Sequence, residues 1–119
     1  MKPRFFKTAG DLSKWFERNH AAATELWVGY YKKGTGRTGI TWSESVDEAL
    51  RFGWIDSVRK GIDQERYTNR FTPRSPSSNW SARNIKRAQE LIEQGLMHEA
   101  GRKAFEARRK MSTRAMRSL

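Results

Sequence analysis

Cysteine is absent from the 119 residues. That excludes a disulfide framework and a thiolate metal site, and it makes a reducing compartment comfortable. Histidine is nearly as scarce. His20 and His98 are the only two, and neither is spaced with a second ligand, so no metal centre or His-based nucleophile pair is expected. Long apolar runs are missing as well, and nothing approaches the roughly 20 apolar residues a membrane helix needs. Lys2, Arg4 and Lys7 are not followed by a leader-like apolar stretch, so no secretory signal is expected and the sequence reads as cytoplasmic.

Aromatic residues are abundant by contrast: five Trp, six Phe and three Tyr. They supply the large side chains from which one core can be built. A chain of this length buries roughly 65% of its unfolded surface, enough for a single domain. The formal net charge is +11, but it is unevenly spread. Residues 1–40 carry eight Lys/Arg against three acids, residues 41–80 six against six, and residues 81–119 ten against four. The basic ends therefore suggest weak, sequence-independent contact with nucleic acid or an anionic membrane surface, while the middle is electrically neutral.

The order of elements follows from periodicity and caps. Thr8 and Asp11 resemble a capping box, and Leu12, Trp15 and Phe16 then repeat at helical spacing, predicting a helix over 9–19. Residues 25–33 alternate as a strand, with aromatics on both faces, which predicts an interior position. Gly34, Gly36 and Gly39 mark a loop without the order of a phosphate-binding motif, read as mobile. Thr41 and Glu44 form a standard capping box for a helix over 42–53, ended by Gly53. A hairpin follows, with strands at 55–62 and 66–72. Pro73 and Pro76 interrupt regular structure, and Ser81 caps a helix over 81–94 that Gly95 ends. A last helix is predicted at 97–110. The expected architecture is α+β: a single compact domain over 1–110, a small antiparallel sheet with a central hairpin, and about four helices, followed by a basic tail at 111–119 expected to fray.

Three stretches concentrate unusual residues: FGWID at 52–56, FTPR at 71–74, and Ser78-Asn79-Trp80-Ser81 with Asn84. Together with the TWSESVDEAL helix they resemble the YdeI/OmpD-associated family, also labelled bacteriocin-protection proteins. The resemblance implies a compact α+β fold and an association with stress or antimicrobial resistance; it implies no reaction.

Read physically, these stretches suggest a polar pocket that stacks a planar group and holds an anion. Trp54, Trp80, Arg70 and Arg74 would provide rings and guanidinium groups, and Asp56, Ser78, Ser81 and Asn84 the remaining polar contacts. Plain packing accounts for the same residues: Trp54 as core, Asp56 with Arg74 as a structural ion pair, and Ser81 as a helix cap. Asp56 is the one candidate acid–base group, and no residue set specifies catalysis. The expectation is therefore a domain binding a small anionic or planar ligand, without a cofactor; the alternative is nonspecific polyanion binding through the basic ends.

Overall fold

The computed structural model describes the backbone of residues 2–117 and the side chains of residues 2–108. Helix α1, Ala9–Asn19, begins where Thr8 Oγ1 accepts a hydrogen bond from Asp11 N at 3.2 Å. Its Leu12 and Phe16, one turn apart, are fully buried. Strand β2, Leu26–Tyr31, follows, with Leu26, Val28 and Tyr30 facing the core. Helix α2, Trp42–Arg51, opens on both bonds of the capping box: Glu44 N donates to Thr41 Oγ1, and Thr41 N to Glu44 Oε1. These paired bonds satisfy two N–H groups that a helix start leaves without partners.

Strands β3, Trp54–Gly61, and β4, Arg66–Pro73, form the expected hairpin. Its turn is held by Asp63, whose carboxylate accepts from the N–H groups of Glu65 and Arg66 and pairs with the Arg66 guanidinium at 2.7 Å. Helix α3, Ala82–Glu93, is capped by Ser81, and helix α4 runs over Glu99–Arg117. Residues 118–119 of the segment expected to fray, and its side chains throughout, lie outside the described residues.

The sheet order is β1-β2-β4-β3, where β1 is Arg4–Phe5. This corrects the expectation of an antiparallel sheet. β1 pairs in parallel with β2, so the sheet is mixed. A two-residue strand has no alternation to reveal it in the sequence. Its site is marked instead by Gly29, where a Cβ would lie 2.5–2.8 Å from the Phe5 ring; only a glycine lets Phe5 lie flat on the strand. β2 is interior, as its two-sided aromatics predicted.

One sheet face packs against α1 and α2 through Leu12, Phe16, Ala49, Phe52 and Trp54. On the far side of α2, Leu50 joins Ala88, Leu91 and Phe105 in a second cluster with α3 and α4. The result is three layers: sheet, α1 with α2, and α3 with α4. The opposite sheet face, which bears Trp27, Thr68 and Arg70, contributes to neither cluster.

Two glycines let α4 approach the end of α2. Gly53 has φ +77, which only glycine adopts at little cost, and its Cα faces the Ala100 carbonyl. A Cβ on Gly101 would collide with the Arg51 carbonyl oxygen and the Met97 sulfur. Within an unconstrained helix, Gly→Ala stabilises by up to about 1 kcal/mol. Gly101→Ala is expected to do the reverse, losing about 1–3 kcal/mol in urea denaturation through overpacking, whereas Gly61→Ala, with open space around it, should stay within about 0.5 kcal/mol. A stabilised Gly101→Ala would contradict the close contact.

Candidate functional site

The residues singled out in the sequence do not converge on one pocket. Trp54 is 2% exposed and sits edge-on to Trp15 and Phe16, with ring centroids at 5.8 and 5.3 Å; its indole belongs to the core. Arg70 lies on the opposite sheet face and pairs with Glu25 at 3.5 Å. Asp56 accepts from Trp42 Nε1 at 3.4 Å and Asn69 Nδ2 at 3.5 Å, rather than forming the envisaged ion pair with Arg74. Ser78 Oγ accepts from Ser75 N, and Ser81 Oγ from the backbone N–H of Asn84, so both hydroxyls serve local turns.

Arg74 and Trp80 do come together. The guanidinium lies 3.9 Å from the Trp80 ring centroid and donates from Nη1 to Asn79 O at 3.0 Å, while Trp80 packs edge-on against Phe105. Burial pushes the Arg74 pKa down to about 10, opposed by the charge of Asp56, so the group remains cationic at neutral pH. This stack ties the 74–81 connection to the α3–α4 layer.

A large concavity opens elsewhere, at the end of the sheet beside the start of α2. It holds about 880 Å³ and is walled by the end of β2, the 34–39 loop, residues 40–43 and the hairpin. That volume lies within the usual range for small-molecule sites, about 300–1,000 Å³. Its rings are Tyr30, Tyr31, Trp42 and Tyr67, and its cations Lys32, Lys33, Arg37 and Arg59. Among the described residues, no carboxylate lines it.

Hydrogen bonds and stacking fix these walls. The Tyr30 hydroxyl lies 2.6 Å from Ser45 Oγ, which donates to Trp42 O at 2.6 Å, so strand and helix start are tied together beneath the cleft. Burial raises the Tyr30 phenol well above its ordinary pKa, keeping it protonated as a hydrogen-bonding group. Tyr30 stacks on Tyr67 at 4.9 Å, and the Arg59 guanidinium stands 4.8 Å from the Tyr67 ring centroid and 6.0 Å from that of Trp42. Arg59 Nε also donates to Asn69 Oδ1 at 3.3 Å.

The glycine loop is internally braced. Gly34 and Gly36 take positive φ, and Thr35 Oγ1 donates to Lys32 O while accepting from Arg37 N. Arg37 then reaches back over Tyr31, 4.3 Å from the ring centroid and 3.2 Å from its hydroxyl. The glycine spacing reads as a mobile loop; the sequence signal for these contacts is the run Tyr30-Tyr31-Lys32-Lys33 with Arg37 in one turn-rich segment.

Residues 4–104 match the family model described as Domain of unknown function (DUF8412). No curated protein and no solved structure matches the chain. The resemblance to the YdeI/OmpD-associated family is thereby corrected, and the resistance association it implied is withdrawn. Physically, FGWID and FTPR occupy a helix-to-strand junction and a strand end, where Phe52, Trp54 and Phe71 are core residues. Their composition reports packing demands that unrelated domains can share.

The Arg74–Trp80 stack yields a test of its structural role. Arg74→Lys should cost about 1–2 kcal/mol in urea denaturation, because an ammonium on a flexible stem loses the planar stack and the Asn79 bond. Combined with Trp80→Ala, the costs should fall short of additive by at least about 0.5 kcal/mol. Full additivity would contradict the coupling.

Proposed function

The chain belongs to the DUF8412 family, and we propose that this domain binds a small planar anion, of the aromatic phosphate class, in the cleft between the 34–39 loop, the start of α2 and the β3–β4 hairpin. The observation that carries the reading is the pairing, on one concave surface, of Tyr and Trp rings with four cations and no carboxylate. Rings alone would suit many apolar ligands, and cations alone any anion. Their combination selects a molecule that is flat at one end and negatively charged at the other.

Roles follow from geometry. Arg59, placed between Trp42 and Tyr67, has a planar fork suited to a phosphate or carboxylate. Lys32, Lys33 and Arg37 add positive potential at the loop side, and the hydroxyls of Thr38, Thr41 and Ser43 offer orienting contacts. The walls supply stacking, hydrogen bonding and charge, which is the chemistry of binding. The β3 irregularity between Asp56 and Arg59 sets how Arg59 projects, because a register shift re-aims the side chains that follow it.

A thermal-shift screen of adenosine monophosphate, adenosine and inorganic phosphate separates the contributions. Adenosine monophosphate should raise Tm, with either fragment alone giving a smaller effect. By calorimetry Arg59→Ala should weaken adenosine monophosphate binding about tenfold or more, the loss expected for a charge-assisted contact, and Trp42→Phe should weaken it less than Trp42→Ala. Equal affinity in wild type and Arg59→Ala, or no stabilisation by any aromatic phosphate, would overturn the reading.

A further inference from the structure

The cleft does not end at its own rim. Tyr31, which lines it, belongs to the sheet face that no helix-side cluster covers, and it stacks on Phe5 with ring centroids 5.1 Å apart. Arg66 stands 5.7 Å from the Phe5 ring centroid. Further along β2 on the same face is Trp27, with Lys60 Nζ 5.5 Å from its ring centroid. From Tyr31 to Trp27 is four residues of strand, about 14 Å at ~3.4 Å per residue. Aromatic rings and cations thus follow one another along a path that starts in the cleft and crosses the helix-free face.

Charge along this path favours a polyanion. The cleft and face together present seven cations: Lys32, Lys33, Arg37 and Arg59, then Lys60, Arg66 and Arg70. Three carboxylates accompany them, Glu25, Asp63 and Glu65, each in an ion pair with one of these arginines. Lys32, whose Nζ donates to Asp63 O at 3.4 Å, and Lys60, beside Trp27, place ammonium groups at opposite ends of the path. A line of rings spaced among cations is the arrangement that binds single-stranded nucleic acid: successive bases stack on the rings while the backbone follows the charge. Duplex offers no free base faces to such a surface.

We propose that the bound planar anion is one nucleotide of a single-stranded nucleic acid, whose neighbouring bases stack on the Tyr31–Phe5 pair and on Trp27 across the helix-free sheet face. This rests on the cleft reading for its first nucleotide. It extends that reading to a polymer, bound through the sheet and not through the basic chain ends.

The test compares thymidine monophosphate, a single-stranded oligothymidylate of about eight residues, a duplex of the same length and phosphatidylserine vesicles. The proteins are wild type, Trp27→Ala and Lys60→Glu, with circular dichroism confirming the fold; Lys60 is exposed and provides a variant free of packing cost. The oligothymidylate should bind at least tenfold more tightly than the monophosphate. Both substitutions should weaken the oligothymidylate about tenfold and leave the monophosphate unchanged. Monophosphate binding without any gain for the oligomer would overturn this inference and leave the cleft reading standing. Failure of both thymidine and adenosine monophosphate to bind would overturn both, and equal binding of duplex or vesicles, insensitive to Trp27→Ala, would replace base stacking with simple charge attraction.

Discussion

Helix α2 is buried from two sides, and this constraint organises the rest of the molecule. Ala49 and the capping Phe52 face the sheet core, and Leu50 faces the α3–α4 cluster. A helix held in this way cannot rotate or slide without opening one cluster or the other. Its C-terminal end is locked by Gly53 and Gly101, where α4 crosses in backbone contact and His98 N donates to Arg51 O at 3.1 Å. Its N-terminal end is therefore placed as firmly as its centre. That end carries Trp42 and borders the cleft.

From this position the cleft inherits rigid walls. Ser45, fully buried one turn into α2, connects Tyr30 on the strand to the Trp42 carbonyl. Buried polar groups need partners, and a network in which each hydroxyl has one holds a single arrangement. Asp56 extends the support, accepting from Trp42 Nε1 and Asn69 Nδ2 while Asn69 Oδ1 accepts from Arg59. The carboxylate chosen from the sequence as a candidate acid–base group thus sits behind the cleft wall, positioning Trp42 and, through Asn69, Arg59.

Much of the fold was legible because local signals agreed with the global packing. Thr41 with Glu44, Ser81 before Asn84, Gly53 and Gly95 at positive φ, and the alternation of Leu26, Val28 and Tyr30 each announce an element whose bounds the structure repeats closely. The two-residue β1 was not legible, since its evidence lies in Gly29, far along the chain. The cleft escaped for a related reason. Twelve of its fifteen lining residues fall between Tyr30 and Ser43, but the cleft closes only when Arg59, Gly61 and Tyr67 of the hairpin join them, whereas Trp54, Arg74 and Trp80 stand out through local density. Dense aromatic and arginine motifs mark places where packing is demanding. Trp54 serves the core, and Arg74 with Trp80 anchors a connection.

The most direct measurement is a heteronuclear NMR titration of the protein with adenosine monophosphate, following backbone amides and the five indole N–H signals. The account predicts saturable shifts concentrated at residues 31–43, at Arg59 and at the Trp42 indole, with the Trp54 and Trp80 indoles unmoved. Shifts centred on Trp80 and residues 74–81 instead, or none at the cleft at saturating ligand, would contradict it.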